Sequence, residues 1–218
     1  MRHLPRLVIL LLGAGLVGGC FPHHQADPRL PHFAEQAPAL GEPAPEVDLV
    51  DLDGEPFRLA DRLGERPLVL RLGSHSCPVY RYRRFSVESL VEDYRDAVDF
   101  LVIYTLEAHP SGFKSPFAEG EWNPRINRWL GVHVPQTTDL DQRIARARAS
   151  HADLGLLEEM VVDTLDDAAW RAYGSAASPA FVFDRHGRVV LRQTWIDPGP
   201  IRETLDRLLA APTSDSGG

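Results

Sequence analysis

Two apolar runs, residues 67–72 and 99–104, set the terms for what this chain can fold into. The second is near-continuous through Phe100, Leu101, Val102, Ile103 and Tyr104, which suits a strand covered on both faces within a parallel sheet. Between the runs, residues 78–96 place Phe85, Val87, Leu90, Val91 and Tyr94 at mostly helical spacing. Strand, crossover helix and parallel strand are therefore predicted in that order.

The rest of the chain continues the alternation. Residues 47–52 and 57–59 flank Asp53-Gly54 as a short hairpin. Thr138 and Asp139 open a helix with Leu140, Ile144, Ala147, His151 and Leu154 on one face. Residues 160–163 read as a strand and 166–173 as a short helix, and 180–183 and 189–192 flank a hairpin at 184–188. An amphipathic helix is expected over 200–211. The long stretch 107–135, with several Pro and Gly, reads as a functional loop or insertion. This order predicts an α/β, thioredoxin-like fold over residues 46–211, with a central mixed sheet flanked by helices.

The two ends read differently. Arg2 and Arg6 precede an apolar run at 7–17, and Leu16-Val17-Gly18-Gly19-Cys20 follows. That run is too short to span a bilayer and has the proportions of a signal peptide, residues 1–19, ending like a bacterial lipobox. Cys20 is then the lipidation site, residues 20–45 form a flexible tether rich in Pro, His and Ala, and 212–218 form a disordered polar tail. An extracytoplasmic, membrane-anchored lipoprotein is the expectation. With 23 basic residues against 31 acidic ones, and Lys114 the only lysine, no nucleic-acid partner is expected.

With Cys20 lipidated, Cys77 is the single thiol left, so no internal disulfide can form and any redox cycle needs an external thiol. Cys77 lies where the strand ending at Gly73 passes through Ser74-His75-Ser76 into Cys77-Pro78 and a helix. Proline favours the first helical position, which makes Cys77 the N-cap. The free N–H groups and dipole there are expected to lower its pKa, with Arg81, Arg83 and Arg84 close behind. Pro78-Val79-Tyr80 follows instead of a second cysteine, against thioredoxin-type disulfide exchange. His109 follows a strand parallel to the Cys77 strand, so both belong at the carboxyl edge where open α/β sheets bind ligands. His75, Cys77 and His109 have metal-ligand chemistry, but no fourth ligand is evident, and neither a metal nor a bound cofactor is expected.

Leu68-Val69-Leu70-Arg71-Leu72-Gly73-Ser74-His75-Ser76-Cys77-Pro78 resembles the active-site segment of the iodothyronine deiodinases. So does the block at 98–111, with its Glu107-Ala108-His109-Pro110 signature, and the pieces at 161–165 and 173–174. The resemblance implies that Cys77 stands for the catalytic selenocysteine. It implies that Tyr104, Glu107 and His109 serve proton transfer and substrate contact, and that Ser74 and Ser76 hydrogen-bond near the chalcogen. His75 stands at an auxiliary cysteine position, and Ser178-Pro179 replaces an acidic–basic pair. Proline at 179 matches the one, often cis, that thioredoxin-like proteins set beside their cysteine. The implied activity is reductive dehalogenation of a small iodinated aromatic through a Cys77 thiolate with a thiol electron donor. A homodimer is compatible with the resemblance. The residues leave two alternatives open: a one-cysteine peroxidase, and a non-catalytic lipoprotein domain that docks a partner.

Overall fold

A computed structural model describes residues 32–210. The signal-like segment, Cys20, residues 20–31 of the expected tether and the 212–218 tail lie outside these residues. Seven strands form one sheet: β1 (Leu49–Asp51), β2 (Pro56–Phe57), β3 (Leu68–Gly73), β4 (Asp99–Tyr104), β5 (Glu159–Asp163), β6 (Ala180–Phe183) and β7 (Val189–Gln193). Their order is β2-β1-β5-β4-β3-β6-β7. β3, β4 and β5 run parallel, while β1 and β6 flank them antiparallel. The β3–β4 register pairs Leu68 with Asp99 and Gly73 with Tyr104, so the two strands end side by side.

Alternation along the central strands sends side chains to opposite faces. Leu68, Leu70, Leu72, Leu101, Ile103 and Val161 pack on one face with Phe33, Tyr173, Phe181 and Phe183. Val69, Val102, Tyr104 and Val162 face the other way, beneath α2 (Pro78–Tyr94), α4 (Leu140–Leu154) and α6 (Pro198–Ala210). The expected helix at 138 begins as read: Asp139 accepts the Gln142 N–H at 2.8 Å, and Gly155 ends α4 at φ 58°. The 107–135 stretch contains one short helix, α3 (Arg125–Trp129). No helix among the described residues is long and apolar enough to cross a membrane.

Two expectations fail here. Phe85, counted in the helical apolar spacing of α2, is 60% exposed, because Tyr80, Val87, Leu90 and Val91 already cover the sheet. Instead the Arg84 guanidinium lies 3.8 Å from the Phe85 ring centre. Residues 32–45, read as the end of a flexible tether, are packed. Phe33 of α1 (Phe33–Gln36) is fully buried, 6.1 Å from the Phe181 ring centre. Its ring sits against Gly174 at φ 91°, where a Cβ would come within 2.6 Å of it. The segment then runs along β7, with Gly41 N–H donating to Val189 O at 2.8 Å and Val189 N–H to Glu42 O at 2.9 Å. Truncating Phe33 to Ala should lower unfolding stability by about 3–5 kcal/mol in urea denaturation. A change under ~0.5 kcal/mol would show that this segment does not dock.

Candidate active site

Helix α2 starts where β3 ends, and Cys77 is its N-cap with Pro78 following, as the sequence indicated. The turn is held close by Tyr80, whose ring leaves no room for a Cβ at Gly73: one built there would lie 2.2 Å from Tyr80 Cδ2. The Arg71 guanidinium lies 4.4 Å from the same ring, and its Nε donates to Glu158 at 2.5 Å, all fully buried.

The end of β4 supplies the polar partners. Tyr104 O–H donates to Glu107 Oε1, and Ser76 N–H donates to Glu107 Oε2 at 2.8 Å. His75 N–H in turn donates to the Tyr104 oxygen at 3.2 Å. Two serines tie the loops from the other side: Ser74 Oγ accepts Ala108 N–H at 3.0 Å, and Ser76 Oγ accepts His109 N–H at 2.9 Å. Cys77, Glu107, Tyr104, His109, Ser74 and Ser76 therefore gather at one sheet edge.

The remaining predicted residues take other parts. Arg81 donates to the His75 carbonyl at 2.5 Å. His75 turns its ring toward Ser150, with Nδ1 at 3.1 Å from Oγ. Pro179 accepts Leu72 N–H at 3.1 Å, bracing β3. The peptide before it is trans, since no cis bond occurs among the described residues. Three contributors were not foreseen. Asn127 of α3 donates from Nδ2 to Ser76 O at 2.7 Å and accepts Arg81 at 2.6 Å. Gln136 accepts Glu107 N–H at 2.9 Å. The Trp122 carbonyl lies 3.2 Å from His109 Nδ1, and its ring meets His109 edge-on at 4.5 Å. The Pro- and Gly-rich character of 107–135 hinted at Trp122 and Asn127, and Gln136, one residue beyond that stretch, carried no signal.

Electrostatics overturn one expectation outright. Cys77 is 1% exposed, and burial pushes its thiol up to about 11. The N–H groups of Tyr80 and Val79 and the Arg81 charge oppose this, and the Glu107 charge adds to it. Desolvation outweighs the helix N-terminus, so the sulfur rests as a thiol. Burial also holds Tyr104 well above the ordinary phenol range, helped by Glu107, leaving it a permanent donor. Burial lowers His109 to about 4 and also lowers His75. A carbonyl only accepts, so His109 Nδ1 carries the proton and Nε2 is a free base.

The family model described as iodothyronine deiodinase matches residues 29–205. Type I iodothyronine deiodinase of Xenopus laevis is 30% identical over 159 residues, covering 70% of this chain and 56% of that one. Thyroxine 5-deiodinase of Gallus gallus is 34% identical over 141 residues, covering 62% and 49%. The chain spans about half the length of these curated relatives. Among solved structures, a thiol-disulfide oxidoreductase from Bacteroides fragilis superposes with a TM-score of 0.53 at 17% identity, covering 77% of this chain and 99% of that one. The thioredoxin domain of a Bacteroides vulgatus thiol-disulfide oxidoreductase gives 0.52 at 12% identity, covering 77% and 98%. The fold is thioredoxin-like.

Alkylation of Cys77 by iodoacetamide in the folded protein should be slow at neutral pH and climb with an inflection near pH 11. Site-specific peptide mass spectrometry reads this directly. A rate that already plateaus below pH 8 would contradict the burial-dominated balance.

Proposed function

This chain belongs to the iodothyronine deiodinase family, and from that premise we propose that it is a thiol-dependent oxidoreductase that removes iodine from an aromatic substrate. The observation that carries the reading is the Glu107 carboxyl group joined at once to the Tyr104 hydroxyl and to the Ser76 N–H beside Cys77. It puts proton-handling groups next to Cys77, the one cysteine among the described residues.

In the proposed reaction, a sulfur lone pair forms an S–I bond while the carbon–iodine bond breaks and its electron pair stays on carbon. That carbon takes up a proton, so sulfur is oxidised and carbon reduced. A buried thiol brings the required proton with it: Cys77–SH and the aryl iodide become Cys77–S–I and the arene. His109, with a neutral ring and a free Nε2, enters as proton acceptor and relay rather than as an imidazolium donor. Tyr104 and Glu107 share that relay. One external thiol then displaces iodide to give a mixed disulfide, with loss of its proton. A second thiol restores Cys77 and leaves as the disulfide. We also propose the extracytoplasmic, lipid-anchored location through Cys20, and no bound cofactor.

The burial of Cys77 favours a second reading, a domain that docks a partner without chemistry. Iodide release from an iodinated phenol with dithiothreitol as reductant separates the two. Cys77→Ser should abolish release. Glu107→Gln should lower kcat by about 10²–10⁴-fold while KM changes little. Undiminished release by Cys77→Ser would overturn the proposal, and no release by the unaltered protein would favour the docking domain. Selective oxidation of Cys77 by stoichiometric peroxide, without iodide release, would point to a one-cysteine peroxidase.

A further inference from the structure

The reacting sulfur is closed off, so something must move before any substrate reaches it. The segment between Ser111 and Pro135 is bonded across the Cys77 turn, and its Phe117 packs on the cluster that holds Cys77. Its Trp122 carbonyl and ring hold His109, and its Asn127 ties the Ser76 carbonyl to Arg81. It is fastened at its base by the Ser111 N–H donating to Val134 O at 2.8 Å.

The way α3 is attached is unusual. Asn127 is the only buried residue of this helix. Ile126 and Trp129 of the helix and Leu130 at its end are all exposed, Trp129 at 79%. An ordinary surface helix buries its apolar face and keeps polar groups outside. Here the apolar residues are outside, and an amide holds the helix down. Little apolar area is lost when α3 lifts, so this end of the segment is held mainly by a small set of hydrogen bonds, while Ser115 and Phe117 stay anchored at the other end. Such segments belong to the low end of local stability.

We infer that residues 111–135 form a lid over Cys77 and that Asn127 is its latch, the positioning residue through which the lid controls the thiol. This rests on Cys77 being the reacting group, but its test reads the thiol and not turnover. In the closed state Asn127 fixes the peptide carbonyl immediately before Cys77 and the Arg81 side chain. When α3 lifts, both are freed and water reaches the sulfur. The titratable groups gathered there are Tyr80 and Arg81 of α2, Tyr104 at the end of β4, and His75, Glu107 and His109 of the loops. None lies on the lid, so the lid acts by excluding water rather than by charge.

Iodoacetamide labelling of the full chain, read on the Cys77 peptide, tests this. Asn127→Ala should react at least about tenfold faster than wild type at pH 8, with the inflection moved down from about 11 toward the ordinary thiol range. Adding ~1 M urea should leave both rates nearly unchanged, because a local opening exposes little surface. Trp129→Ala, on the outer side, should react as wild type does. An unaltered rate in Asn127→Ala would overturn the inference. So would a rise matched by Trp129→Ala, or one that climbs steeply with urea as global unfolding requires. If the labelling behaves as expected but no iodide is released, the latch stands and the dehalogenation reading falls.

Discussion

The Glu107 carboxyl group is the tie on which the site depends. It is 1% exposed, and a carboxyl group at that depth is tolerated only with its oxygens satisfied. One oxygen takes the Tyr104 hydroxyl and the other takes the Ser76 N–H. The same hydroxyl accepts the His75 N–H. Two consecutive amides before Cys77 are thus anchored to the end of the neighbouring strand. Because β3 and β4 end in register, this short network fixes where α2 begins and hence where the sulfur sits.

A second buried network braces the turn from below. Arg71 pairs with Glu158 and spreads over Tyr80, and Tyr80 fills the space beside Gly73. Two Arg71 nitrogens and the Tyr80 hydroxyl have no protein partner. Such a pair contributes little net stability compared with apolar packing, yet loss of either member strands a charge in the core at about 3–5 kcal/mol. Its place in the fold makes it a brace for the Tyr80 ring, and through that ring for the close passage of the chain at Gly73.

Much of the framework was legible in the sequence because it is written locally. The apolar run at 99–104 is β4 to the residue, Cys77-Pro78 is a helix start, and Asp139 caps α4. What could not be read depends on parts of the chain far apart. Phe33 looks like a stray aromatic in a proline-rich leader, and only Phe181 and Gly174, more than 140 residues away, make it core. The helix N-terminus correctly indicated a pull toward thiolate, but the opposing burial comes from the surrounding cluster of Tyr80, Val102, Tyr104, Ala108 and Ala177, with Phe117 of the 111–135 segment packed against it. Asn127 carries no periodic or motif signal, and its role exists only because α3 folds back onto the Cys77 turn.

The docking of the leading segment also covers an edge. β7 is the last strand of the sheet, and an open edge strand offers unpaired N–H and C=O groups to any other chain. Here Gly41 and Glu42 take up both backbone groups of Val189, and Pro43 bridges Arg188. Capture of the chain from Phe33 onward therefore withholds this stretch of backbone from pairing with a second copy.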